Sequence, residues 1–311
     1  MTTLLTDHRP FGNTGLEVSP LGFGGAPIGV LETGETTVAT LLNTLLDRGV
    51  NLFDTATMYR GSQDMIGTAI GHRRDEYVIV TKCGLASEGN NPGRWTRAKI
   101  THDIDQALTQ LRTRHIDVML LHSCSRAVLD QGDALDAIIR ARDAGKVRFA
   151  GYSGDNETAA HAATLPDIRV IQASVNICDQ ANIDTVLPVT SREGVGVMAK
   201  RPIANAAWKP TEQQYEGYRT YYAPYRERFE TMGLGLEEFA STGETTWAGL
   251  ALRFTLSQPG VSTAIIGSTN PKHIDANVEA AARGPLDEES INLIRGAFTQ
   301  ARAGRDWPGL T

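Results

Sequence analysis

Three short apolar runs in this chain each close on a titratable side chain. Val-Asn-Leu-Phe-Asp ends at Asp54, Tyr-Val-Ile-Val-Thr-Lys at Lys82, and Asp-Val-Met-Leu-Leu-His at His122. Tyr59 follows Asp54 by five residues. If the runs are neighbouring strands whose carboxyl ends open on one mouth, these side chains meet there, and Tyr59 folds back over them from its loop. A phenol with an ordinary pKa of about 10 is a poor acid at neutral pH, but an adjacent ammonium favours its phenolate and makes it a better one. Lys82 supplies that ammonium. A buried Lys tends to lose its proton, and Asp54 is the counter-charge that keeps it cationic. His122 can then donate a hydrogen bond to a substrate oxygen, orienting it and steadying the charge that develops there. Such a set protonates an oxygen while a hydride reaches the adjoining carbon. The hydride must come from a cofactor, since no side chain delivers one. Taken singly, each residue reads as a rim or structural group; at consecutive strand ends they read as a catalytic set.

The elements that would position these groups recur along the chain. Strand-like runs at Leu21–Gly24, Val50–Phe53, Tyr77–Thr81, Asp117–Leu121, Arg148–Tyr152, Val170–Ser174, Gly196–Ala199 and Thr263–Ile266 alternate with helical spacing, as over Thr36–Asp47, Arg97–Arg112, Ala134–Ala144, Asp179–Ser191 and Thr246–Ser257. Eight alternations predict an α/β fold, a (β/α)8 TIM barrel closed on itself, rather than an open doubly wound sheet. Ahead of them, residues 9–19 read as a hairpin turning at Asn13 to Gly15, a plug for the barrel floor. Beyond the eighth unit, Leu286–Arg302 reads as an extra C-terminal helix, opened by Asp287 and Glu288. The expectation is one domain over residues 1–311.

Composition narrows the function classes. With 30 basic against 36 acidic residues, a net charge of -6 and no run of like charges, a nucleic-acid footprint is not expected. The three cysteines, Cys83, Cys124 and Cys178, are an odd number with no C-x-x-C pair, which fits reduced thiols rather than a disulfide framework or a structural zinc site. No basic-then-apolar leader opens the sequence and no apolar stretch reaches membrane-spanning length. The sequence therefore predicts a cytoplasmic protein without a membrane anchor.

One connection is unusual. Residues Pro202 to Glu244 separate the seventh strand from its helix and carry Trp208, Tyr215, Tyr218, Tyr221, Tyr222, Tyr225 and Phe229. Long βα loops of a barrel lie on the catalytic face, so this segment reads as a lid offering stacking surface to a substrate, against the alternative of an excursion with its own small core.

With the four residues in place, the chain resembles the aldo-keto reductases over nearly its whole length. The resemblance is carried by Phe-Gly-Asn-Thr-Gly-Leu-Glu-Val-Ser-Pro-Leu-Gly-Phe-Gly at the hairpin, Asp54-Thr-Ala-Thr-Met-Tyr59-Arg-Gly-Ser-Gln, Val-Thr-Lys82, Ile-Asp-Val-Met-Leu-Leu-His122, Gly145-Lys-Val-Arg-Phe-Ala-Gly-Tyr-Ser153, Val-Ile-Gln172-Ala-Ser-Val-Asn176 and Ile-Ile-Gly267-Ser-Thr-Asn-Pro-Lys-His-Ile-Asp-Ala-Asn277. It implies a catalytic tetrad of Asp54, Tyr59, Lys82 and His122, with Tyr59 the general acid for reduction. It also implies a nicotinamide nucleotide across the barrel mouth, and a small carbonyl or alcohol as substrate. Ser153 and Gln172 match the residues that hold the carboxamide, while Gly154 stands where the family often has Asn. Lys200 and Arg201 stand where an aromatic usually stacks on the nicotinamide; they meet the pyrophosphate as cations, or another group packs the ring. Gly267, Ser268 and Thr269 match the backbone cradle for the adenosine phosphate, and Asn277 the adenine contact. Many NADP-using relatives place a Lys and an Arg at the positions that here are Gly267 and His273. An imidazole grips a phosphate less firmly than a guanidinium, so the expectation is a modest preference for NADP(H) with NAD(H) also accepted, strengthening as His273 gains its proton.

Rival motifs are incomplete. Gly22-Phe-Gly24-Gly-Ala-Pro27 lacks the third glycine of a dinucleotide fingerprint, and Gly151-Tyr-Ser153-Gly-Asp155 lacks the last glycine of a nucleophile turn. His122 and Cys124 are two ligands, too few for zinc, so no metal is expected. A second function class stays open: a regulatory module resembling the family's channel β-subunits, which bind the cofactor while turnover is incidental.

Overall fold

A computed structural model describes residues 3–30, 33–85, 94–214 and 219–310. Two short antiparallel strands, β1 (Arg9–Pro10) and β2 (Glu17–Val18), form the hairpin. Eight parallel strands follow: β3 (Leu21–Gly24), β4 (Leu52–Asp54), β5 (Val78–Cys83), β6 (Ile116–His122), β7 (Val147–Ser153), β8 (Ile168–Ser174), β9 (Gly196–Lys200) and β10 (Val261–Ile266). They close in chain order, β10 pairing with both β9 and β3. This is the expected (β/α)8 barrel with an N-terminal hairpin, and the helix Glu288–Arg302 is the additional C-terminal one.

The hairpin forms the floor. Phe11, Leu16 and Val18 share one buried cluster with the inward-facing Leu52, Val80, Val118, Leu120, Val170 and Met198. Gly12 makes the seal possible: its φ is +57°, and a Cβ there would stand 2.2 Å from the Gly196 nitrogen. The largest cluster lies between the strands and the surrounding helices, where Leu42, Ile66, Ile104, Ile138 and Leu252 pack on the outward faces of the barrel.

Most boundaries shift by a residue or two from the sequence reading, and two departures have an identifiable cause. β4 starts at Leu52 rather than Val50 because Asn51 is taken up by the hairpin: its N–H donates to Ser19 Oγ at 3.0 Å, and its amide bonds Ser19 N and Glu17 O. The single helix expected over Asp179–Ser191 is two, Ala181–Thr185 and Leu187–Glu193. Pro188 has no N–H to return to the preceding turn, so the ladder breaks there.

The long connection contains the helix Arg219–Met232 and contributes to a second core, as the alternative reading expected. Trp208 stacks on Trp247 at 6.3 Å, Phe229 meets the same indole edge-on at 4.9 Å, and Phe239 reaches it at 6.0 Å. Tyr222 and Tyr225 are buried. Tyr215, Tyr218 and the side chain of Tyr221 lie outside the described residues. Trp208, Tyr225, Phe229 and Phe239 thus pack into this second core.

Past the last helix, the chain returns to the catalytic end. Trp307 packs beside Phe298 and under the Arg228 guanidinium. Gly309 exchanges hydrogen bonds with Asn156 at 2.7 and 2.8 Å, and Leu310 N donates to Asp179 Oδ2 at 2.9 Å. Among the described residues, no helix is long and apolar enough to cross a membrane.

Candidate active site

Pairing register brings the predicted side chains together. Gly24 pairs with Asp54 across β3–β4, His122 with Ser153 across β6–β7, and Ser153 with Gln172 across β7–β8, so all stand at the carboxyl ends of their strands. The loop after β4 is tied to the end of β5: Thr55 N donates to Val80 O, and Thr57 donates to Lys82 O through both N–H and hydroxyl. That tie brings Tyr59 over the mouth, with Lys82 Nζ 5.0 Å from its ring centroid. His122 meets the same ring edge-on at 6.2 Å.

Asp54 and Lys82 are 2% and 1% exposed, and Lys82 Nζ lies 2.7 Å from both carboxylate oxygens. The third acceptor for the ammonium is Thr55 O at 2.8 Å. Burial pushes the Asp54 carboxyl up and the Lys82 ammonium down, each toward its neutral form, while their mutual attraction opposes both shifts. His122 is half-buried, and burial, reinforced by the Lys82 and Lys200 charges, holds its imidazole well below the ordinary value. It therefore stands neutral, with one N–H available to an oxygen.

Ser153 and Gln172 are joined to each other, Ser153 Oγ donating to Gln172 Oε1 at 2.9 Å, and Gln172 Nε2 in turn donates to Asp54 Oδ1 at 3.0 Å. Glycine at position 154, where the family often has Asn, has a physical reason. A Cβ there would lie 2.5 Å from the Tyr152 ring, whose hydroxyl is anchored on Cys124 O.

Lys200 and Arg201 each have partners within the chain. Lys200 Nζ pairs with Asp155 at 2.9 Å and is 13% exposed, and Arg201 bonds Ser174 Oγ and the Leu310 carbonyl. Asp155 is the residue that the sequence reading missed. It holds Lys200, Ser174 N and Asn182 together, and no spacing in the sequence marks it. The backbone beyond β9 is strained, with positive φ at Arg201, Ala204, Asn205 and Ala206.

Gly267, Ser268 and Thr269 lead from β10 into the helix Pro271–Ala282, capped by Asn270, whose Oδ1 accepts from Lys272 N. A Cβ on Gly267 would strike Gly24 O and Pro27 at 2.6 Å, so no lysine fits there. His273 is exposed and lies within hydrogen-bond reach of Ser268 Oγ at 3.2 Å and Asn270 Nδ2 at 3.4 Å. Burial and then the charge of Lys209 lower its imidazole below the ordinary value. Lys209, on the long connection, is a second cation at this helix start that sequence spacing did not single out. Asn277 is buried one turn further along the same helix. All three thiols are buried, which raises them above the ordinary range, Cys124 to about 12.

Comparisons with known proteins agree with this geometry. A sequence model of the Aldo/keto reductase family matches residues 20–298. The chain is 26% identical to an L-galactose dehydrogenase of Arabidopsis thaliana over 96% of both chains. It is also 26% identical to a probable voltage-gated potassium channel subunit beta of that plant, over 90% of this chain and 92% of that one. A solved aldo-keto reductase from Bacillus halodurans, in its holo form, superposes with a TM-score of 0.77 at 25% identity, covering 96% of each chain. With the family match spanning most of a barrel that carries these strand-end groups, the chain belongs to the aldo/keto reductase family of oxidoreductases.

Proposed function

We propose that the protein interconverts a carbonyl and an alcohol by hydride transfer with a nicotinamide nucleotide, Tyr59 acting as the acid in reduction and the base in oxidation. The observation that carries this reading is the buried Asp54–Lys82 pair lying 5.0 Å beneath the Tyr59 ring, with neutral His122 against the same ring. Lys82 stabilises negative charge on the phenol oxygen, and His122 donates to the substrate oxygen.

The residues fit the cofactor. The Ser153 hydroxyl and the Gln172 amide retain hydrogen-bonding capacity that complements a carboxamide, and the Gly267–Asn270 turn presents a helix N-terminus to an anion. When bound, the nucleotide supplies or accepts the hydride. Gly267 excludes one phosphate-gripping cation, while Lys209 and His273 supply others, which supports a modest preference for NADP(H) with NAD(H) accepted. The similarity to L-galactose dehydrogenase supports examining sugars beside aldehydes and ketones as substrates.

A second reading, a cofactor-binding regulatory module with incidental turnover, draws on the likeness to the channel β-subunit. A panel of aldehydes, ketones and sugars assayed with each nucleotide in both directions separates the two. Tyr59→Phe should lower turnover by about 10²- to 10⁴-fold, with melting temperature and cofactor affinity nearly unchanged. Near-normal turnover in that variant rejects Tyr59 as the acid, and poor turnover of every substrate by the native protein favours the regulatory module.

A further inference from the structure

The Gln172 amide joins two parts of the site, the Ser153 hydroxyl on β7 and the acid that holds Lys82. It spans from β8 to β4, accepting from Ser153 on one side and donating to Asp54 Oδ1 at 3.0 Å on the other. Those bonds fix which way the amide faces, because only its NH₂ end can approach a carboxylate. One N–H and one lone pair remain for a ligand.

Asp54 Oδ1 is therefore shared. It accepts from Gln172 and from Lys82, which has committed its other donors to Oδ2 and Thr55 O. Negative charge that Gln172 draws from Oδ1 no longer neutralises the ammonium.

We propose that Gln172 is a positioning residue that couples cofactor occupancy to the proton on Tyr59, acting through Asp54 and Lys82. This rests on the function proposed above. A carboxamide that donates to the remaining lone pair on Oε1 polarises the Gln172 amide and strengthens its N–H toward Asp54, since hydrogen bonds in a chain reinforce one another. Asp54 then screens Lys82 less, and the field of the ammonium at Tyr59 rises. The only bond that changes is the Tyr59 O–H, whose proton goes to solvent in the fraction of molecules that ionise. Several other groups face this cluster. His122 comes from β6, Lys200 from β9 with its partner Asp155, and Ser153 from β7 is neutral.

The test is the dissociation constant of NADPH between pH 6 and pH 9, in the native protein and in Gln172→Leu. Linkage requires that the variant-to-native ratio of dissociation constants rise by about 3- to 10-fold over that range, because only the native site gains affinity by releasing the Tyr59 proton. The titration of His273 is common to both proteins and cancels in the ratio. Gln172→Asn keeps an amide but is too short to span to Asp54, and should show the same rise if the leucine variant fails to fold. In a Tyr59→Phe background the ratio should be flat. A pH-independent ratio in the native background overturns the coupling, and so does a ratio that still rises without the Tyr59 hydroxyl. Failure of the underlying function appears differently, as turnover surviving in Tyr59→Phe.

Discussion

Because Lys82 has an acceptor for each of its three N–H bonds in Asp54 and Thr55, its influence on Tyr59 is exerted through charge at 5.0 Å. Lys82→Met removes that charge and leaves Asp54 buried without its counter-ion. The expected cost is about 3 to 5 kcal/mol of stability, partly relieved as Asp54 takes up a proton. Turnover should fall, and the pH-rate curve should change shape as the phenol loses its neighbour. Denaturant unfolding and a pH-rate series check the two effects separately, and a variant retaining the native curve shape would show that Lys82 does not tune the acid. Asp54, Lys82 and His122 were legible in the sequence because each closes an apolar run, and strand ends in a barrel share one mouth. Asp155 and Asp179 were not. Their partners arrive from far along the chain, Lys200 to the first and Tyr225 and Leu310 to the second, and no local pattern announces such contacts.

At the scale of elements, the proposed nucleotide preference rests on the start of the helix Pro271–Ala282. Burial and then the Lys209 charge lower the His273 imidazole, so near neutral pH it is uncharged, and a 2'-phosphate beside it would work against that shift. The ratio of NAD(H) to NADP(H) dissociation constants should therefore be larger at pH 6 than at pH 8, by about 3- to 10-fold. Lys209 should keep some of that preference at the higher pH. A large ratio that ignores pH would remove His273 from the phosphate contact. The second core makes a different demand on the long connection. Phe239→Ala deletes a fully buried ring against Trp247 and should cost about 3 to 5 kcal/mol, measured as a shift in the urea midpoint. A loss below about 1 kcal/mol, with changed substrate KM instead, would restore the lid. The aromatic content of this connection was visible in the sequence, but its destination was not, since the rings that receive it belong to other helices. Strand positions were readable from apolar runs, whereas the start of β4 and the break at Pro188 were set by a side chain reaching the hairpin and by a missing N–H.

For the whole molecule, the barrel carries one acid whose titration is shared by three distant segments. Burial raises Asp179 to about 7, while its Oδ2 accepts from Tyr225 and from Leu310 N and Arg228 stands 3.9 Å from Oδ1. A carboxyl raised above its unfolded value contributes most below about pH 4, and that contribution is lost as pH rises through about 7. Asp179→Asn cannot ionise. Its stability relative to the native protein should therefore improve by about 1 to 4 kcal/mol between pH 5 and pH 8 in urea unfolding. A constant difference across that range would show that Asp179 does not titrate near neutrality.

The seating of residues 307–310 also sets an order of events during synthesis. Leu310 bonds Asp179 and Arg201, partners 131 and 109 residues earlier. Gly309 reaches back 153 residues to Asn156. Most of the barrel can pair while the chain is still being made, but the wall formed by the ends of β7, β8 and β9 has to wait for a tetrapeptide translated long after the strands it fastens. A nascent chain stalled before Trp307 would hold its strands without that fastening, and the mouth of the barrel would take its final shape only once residues 307–310 had been added.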